Sequence, residues 1–161
     1  MPSIKKDIEL NVTVHTAYDQ WTQFESFAQF MDGVKEVVQL DEKTLRWRAE
    51  VGGKEQEWEA EITEQMPDRH IAWHSTTGTP NAGSVIFEPL GVDKTRVSLE
   101  LAYEPQGTQE KVGDALGVLD RRVAGDLHRF KDFIEQRRAS TGAWRGEIHG
   151  GQVERGGRSE T

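Results

Sequence analysis

The stretch from Glu55 to Ile62 reads Glu-Gln-Glu-Trp-Glu-Ala-Glu-Ile. Glutamate occupies every second position, and Gln56, Trp58, Ala60 and Ile62 fill the places between. A helix would scatter those carboxylates around its axis, whereas a strand, with its period of two, sends them all to one face. The stretch is therefore a strand with an apolar inner face and a charged, solvated outer face, and the charge discourages edge-to-edge pairing. Leu45, Trp47, Ala49 and Val51 repeat the pattern against Thr44, Arg46, Arg48 and Glu50. Gly52-Gly53 separates the two runs and signals a hairpin, because both glycines can take φ > 0. Two strands so joined are antiparallel, and the rest of the chain has to cover their shared apolar face.

The remaining periodicities supply that cover. Ile8, Leu10, Val12 and Val14 alternate with polar residues and predict a first strand. Ala17, Tyr18, Trp21 and Phe24 fall at helical spacing after Thr16, read as the N-cap, and a second short helix from Phe27 to Met31 ends at Gly33. Strands are expected over 34–40, over 71–75, around Val85 and Phe87, and over 95–103. The small-residue stretch 76–83 reads as a loop able to gate a cavity. Val112, Leu116, Leu119, Val123, Leu127, Phe130 and Ile134 then follow one another at intervals of three or four, the mark of one straight helix over about 107–138. Its charged residues Asp120, Arg121, Arg122, Asp126, Arg129 and Lys131 are assigned to the outer side. The fold class is α+β: a seven-stranded, curved antiparallel sheet wrapped around a long C-terminal helix, with two short helices after the first strand. That domain is assigned to residues 1–139. The glycine-rich segment 140–161 reads as a disordered tail, in which Trp144 and Ile148 are the sizeable apolar groups that could dock back on the domain or meet a second subunit.

Composition removes several classes of function. The 161 residues include no cysteine, which excludes disulfides, thiol catalysis and thiolate metal sites. Twenty basic against twenty-eight acidic residues leave a net charge of −8, which argues against nucleic acid and anionic lipid surfaces. No apolar run approaches the ~18 residues of a spanning helix, so stable membrane insertion is not expected. The start MPSIKKDIELNV lacks the apolar stretch of a signal peptide, and a cytoplasmic location is expected. His70 and His74 would lie ~13 Å apart along a strand, too far to share an ion. With no HExxH, P-loop, GxGxxG or GxSxG string, neither metal nor cofactor is expected.

Three strings, VTVHTAYDQWTQFESFAQFM (12–31), WEAEITEQMPDRHIAW (58–73) and GDALGVLDRRVAGDLHRFKDFIE (113–135), together with the element order, resemble the SRPBCC superfamily. That group is the helix-grip fold shared by START domains, birch-pollen-allergen-like proteins and the polyketide cyclase/dehydrase group. The strings are similar to the last of these, near its coenzyme-Q-binding type. The resemblance covers about residues 3–139 and implies a cavity between sheet and helix. It does not imply one activity, since such folds serve carriers, cyclases and hydrolases alike.

One helix cannot fill the concave face of a seven-stranded sheet, so a hollow is expected there. Trp47, Trp58, Trp73, Phe87 and Tyr103 point inward by phase, Phe24, Phe27, Phe30 and Met31 lie near one mouth, and the helix offers Leu116. The expected ligand-binding set is Trp47, Trp58, Trp73, Phe87, Tyr103, Phe27, Phe30, Met31 and Leu116. Few polar residues interrupt the inner face. Gln56 and Ser75 are in phase with it, and Tyr103 brings a phenol, so Tyr103 and Ser75 are the candidate catalytic groups. Arg46 and Arg48 are out of phase, which counts against cyclase chemistry. The expectation is a protein, monomeric or homodimeric, that binds or carries a hydrophobic small molecule: a lipid, quinone or polyketide-like compound. The alternatives are a cyclase or dehydratase and a structural domain whose own side chains fill the hollow.

Overall fold

A computed structural model describes residues 3–31, 33–51, 54–78, 80–103 and 109–154. The chain runs β1 (Ser3–Leu10), α1 (Val14–Trp21), a 3₁₀ helix (Phe24–Gln29), β2 (Val34–Gln39), β3 (Thr44–Val51), β4 (Lys54–Met66), β5 (His70–Gly78), β6 (Asn81–Gly91), β7 (Lys94–Tyr103), α2 (Gln109–Arg137), β8 (Glu147–His149) and β9 (Gln152–Glu154). Seven strands form an antiparallel sheet in the order β1-β7-β6-β5-β4-β3-β2. This is the expected sheet, enlarged by two short strands, β8 and β9, from the C-terminal segment.

The outer face is as charged as the alternation requires. Arg46 meets Glu59 at 3.8 Å, Arg48 meets Glu55 at 3.5 Å, and Lys43 meets Glu61 at 3.1 Å. Exposed pairs of this kind contribute ~0–1 kcal/mol each, so their role is solvation rather than cohesion. The core lies on the other face. Phe87 of β6 receives Tyr18 at 5.3 Å and Trp21 at 6.1 Å, both edge-to-face, and Trp21 meets Phe130 of α2 at 5.1 Å. Leu127, Phe130 and Ile134 are buried along α2, as its stripe requires.

Several boundaries differ from the sequence reading. β1 ends at Leu10 rather than Val14, because the Thr95 hydroxyl donates to the Val12 carbonyl at 2.9 Å and the chain turns there into α1. Thr13, not Thr16, is the N-cap: its side-chain oxygen accepts the Thr16 N–H at 3.1 Å. The second short helix is a 3₁₀ turn that starts earlier, at Phe24. The gating loop over 76–83 is not there. β5 runs to Gly78 and β6 starts at Asn81, and the Ser75 hydroxyl accepts the Asn81 N–H at 3.0 Å across the hairpin.

The disordered tail is corrected over 140–154. Ile148 is fully buried, and β8 pairs Glu64 with His149 and Gln65 with Ile148. The reason is the length of β4, whose 13 residues outrun the eight of β3 and leave an edge that β8 covers. The strand β4 also shifts register between Ile62 and Glu64, which brings both Ile62 and Gln65 inward. The segment leading to β8 is fastened to α1. Gln20 exchanges two hydrogen bonds with Thr141, and the Thr22 hydroxyl accepts the Trp144 N–H at 3.1 Å. Arg145 pairs with the buried Asp19 and, at 2.8 Å, with Asp68, and it lies over the Tyr18 ring. Burial pushes the Tyr18 phenol well above the usual tyrosine range, although Gln65 donates to its oxygen at 3.0 Å.

Candidate functional site

Between the concave sheet and the middle of α2 lies a cavity of about 140 Å³. The sheet side is aromatic. Trp47 and Trp58 are direct cross-strand partners on β3 and β4, and their rings stack at 5.9 Å with planes only 7° apart. Phe27 of the 3₁₀ helix tilts against Trp47 at 5.7 Å. Trp73 on β5 faces Gly83 on β6, and a Cβ at Gly83 would sit 2.4 Å from the indole. Glycine is what lets that ring lie against the sheet. Leu99 and Leu101 of β7 extend the wall, and Val123 and Leu127 of α2 close it from the helix side.

The polar groups gather where the wall meets solvent. Glu50 is exposed at the end of β3, its N–H donates to the Gly33 carbonyl at 2.7 Å, and the Arg122 guanidinium donates to the Glu50 carbonyl. Gly33 has φ 86° and lies under that guanidinium, so a side chain there would be both strained and obstructed. Asp126, one turn beyond Arg122, pairs with Arg129, whose Nε donates to the Phe30 carbonyl at 2.9 Å. Asn81 lines the cavity at the start of β6. One polar atom in the wall stands out: the Trp47 indole N–H is buried and has no hydrogen-bond partner among the described residues.

Of the expected ligand-binding set, Trp47, Trp58, Trp73, Phe27 and Met31 line the cavity. Phe87 does not, because α1 packs Tyr18 and Trp21 onto it. Phe30 does not either, because it is buried between Phe130 at 5.3 Å and Phe133 at 5.1 Å. The side chains of Tyr103 and Leu116 lie outside the described residues. Ser75 is not in the lining, and its hydroxyl is engaged by the β5–β6 hairpin, so its assignment as a catalytic candidate has no geometric support. Gln56 does not line the cavity.

Arg122 and Asp126, read from the sequence as outer-face residues, face the cavity instead. The pattern that would have revealed them is a second stripe: Arg122, Asp126, Arg129 and Phe133 follow at intervals of four, three and four beside the apolar one. Among the described residues no three His, Asp or Glu side chains are placed to hold a metal ion. No helix among them is long and apolar enough to cross a membrane.

Residues 10–132 match the family model described as polyketide cyclase/dehydrase and lipid transport. The chain belongs to this family. A curated relative from Streptomyces lincolnensis, described as an uncharacterized 17.2 kDa protein in the melC2–rnhH intergenic region, is 47% identical over 149 residues, 92% of this chain and 99% of the relative. Two solved structures share the fold. The Zhui aromatase/cyclase from Streptomyces sp. R1128 aligns with a TM-score of 0.75 at 15% identity, over 88% of this chain and 98% of that one. A START superfamily protein from Mycobacterium smegmatis aligns with a TM-score of 0.71 at 18% identity, over 84% of this chain and 98% of that one. The helix-grip reading of the sequence is thereby established, with two strands more than expected.

Proposed function

We propose that this protein binds or carries a hydrophobic small molecule held between the sheet and α2. The observation that carries this reading is the hollow itself, walled by the four indoles of Trp21, Trp47, Trp58 and Trp73 and by aliphatic side chains. Burying ~200 Å² of apolar ligand surface at ~25 cal/mol per Å² contributes ~5 kcal/mol before ordering costs, which by itself corresponds to a dissociation constant of ~0.2 mM, so tighter binding requires polar contacts as well. The activities named in the family description, polyketide cyclisation or dehydration and lipid transport, are ones that such a compartment would serve. Native mass spectrometry of freshly purified protein tests the reading. A co-purified apolar mass, lost on replacing Trp58 with Ala, is the expected result, and an unliganded protein that takes up no apolar probe would refute it.

A cyclase or dehydratase is the second reading, favoured by Arg122 and Asp126 in the lining. Arg122 would hold an enolate oxygen and Asp126 would move the proton. Turnover of a poly-β-keto thioester that is lost in Asp126→Asn, with ligand binding retained, would support it.

A further inference from the structure

We propose that the ligand is a compact aryl carboxylate, with its ring system enclosed by the indole wall and its acid read by Arg122. The inference rests on the cavity-binding reading above and narrows it by size and by charge.

Size comes first. At about 140 Å³ the hollow is comparable to an engineered apolar cavity of ~150 Å³ that holds one benzene. It falls well short of the ~300 Å³ at which pockets for larger ligands begin. An extended acyl or prenyl chain does not fit such a space, whereas one ring does, with a second fused ring extending toward the open rim. The parallel rings of Trp47 and Trp58 present flat π surface, which favours a planar partner in offset or edge contact.

Charge comes second. Among the described lining residues Arg122 is the cationic side chain, and it stands at the rim beside Gly33 and Glu50; of the two carboxylates that share the lining, Asp126 is paired with Arg129 and Glu50 is exposed to solvent. Its described hydrogen bond is to a backbone carbonyl, a neutral acceptor. A guanidinium carries five N–H donors in a planar fork that matches a carboxylate. Exchanging a neutral acceptor for an ionised one makes a shorter, charge-assisted and bidentate contact. Glu50 lies three residues from Trp47 along β3, ~10 Å in strand geometry, so ring and acid are separated by the length of a small two-ring molecule.

The test is calorimetric titration of the full chain with 2-naphthoate, its neutral analogue 2-naphthalenemethanol, and palmitate, with the indole N–H resonances of Trp47 and Trp58 followed by NMR. The expected result is a preference of about tenfold or more for the acid over the alcohol, as charge-assisted bonding provides. Both compounds should move the indole resonances. Arg122→Gln should erase that preference by weakening the acid alone, and Arg122→Lys, which keeps the charge but not the fork, should retain part of it. The lysine variant also decides the matter if the glutamine variant does not fold. Equal binding of acid and alcohol, or a preference untouched by both variants, overturns the role of Arg122. Binding of palmitate but not of naphthoate overturns the size assignment and leaves the cavity-binding reading standing. If no probe binds or moves the indoles, that reading fails and this one with it.

Discussion

Trp73 and Gly83 show how one wall of the cavity depends on a pair of residues. The indole lies where a Cβ on Gly83 would be, 2.4 Å from Cζ2. Gly83→Ala should therefore force the ring away from the sheet, and overpacking of this kind costs ~1–3 kcal/mol. The expected outcome is a lower urea midpoint with an altered Trp emission spectrum; an unchanged midpoint and spectrum would show that the ring is not held there. The sequence discloses only half of this pair. Trp47, Trp58 and Trp73 are legible by alternation, since period two places them inward and the hairpins align them. Gly83 is not, because a glycine after Pro80 and Asn81 reads as a loop residue until its cross-strand partner is known. Phase also cannot tell cavity from core. Phe87 faces the same way as Trp73, but α1 covers it with Tyr18 and Trp21.

Among the elements, the two that close the fold are held by polar clamps. The C-terminal end of α2 is fixed to the end of β1: Glu135 accepts the Asn11 N–H at 2.8 Å and pairs with Lys131 at 2.6 Å, while Lys131 also donates to the Glu9 carbonyl. Partial burial pushes the Glu135 carboxyl up, but the hydrogen bonds from Lys131 and Asn11 outweigh it and hold the group below its usual value of 4.5. A depressed folded value means that the stabilisation is complete above the unfolded value and is lost as pH falls through the folded one. Glu135→Gln should accordingly lower stability at pH 7, and the gap to the native chain should narrow steadily below about pH 4.5, as thermal melts across pH 3–7 would record. The second clamp joins the C-terminal segment to α1. Asp19 is buried, and removing Arg145 would leave its carboxylate short of its main partner, at ~3 kcal/mol for a pair of this kind. In a double-mutant cycle, Arg145→Ala should cost much less on an Asp19→Asn background than on the native one, and strictly additive losses would contradict the coupling. Composition hides this clamp. The segment is rich in glycine and reads as too polar to order, yet one buried isoleucine, two edge strands and an arginine addressed to α1 suffice.

At the scale of the whole molecule, the question is why the interior is left hollow. A space of about 140 Å³ forgoes packing that, at the ~24 cal/mol per Å³ found for closed cavities, would amount to at most ~3 kcal/mol, a large share of the 5–15 kcal/mol by which domains are stable. Element order alone indicates where the gap must be. Among the described residues, α2 packs through the buried Phe130 and Ile134, and its middle, at Val123 and Leu127, faces the hollow walled by Trp47, Trp58 and Trp73. What the element order does not disclose is the polar rim, because Arg122 and Asp126 sit on the shoulder of the helix and show only in the second stripe they share with Arg129 and Phe133. The cost of the hollow makes a distinctive prediction. Ala49 is buried in the cavity wall beside Trp47, so Ala49→Ile adds apolar volume on a strand that favours a β-branched residue. If the space is kept for a ligand, filling it should raise the unfolding free energy by ~1 kcal/mol, seen as a higher denaturation midpoint, while weakening the uptake of apolar probes at least tenfold, the trade between stability and function seen where a site is preserved against packing. If the hollow were incidental, the same substitution would raise stability with no binding to lose, and comparing midpoint and affinity in the one variant separates the two cases.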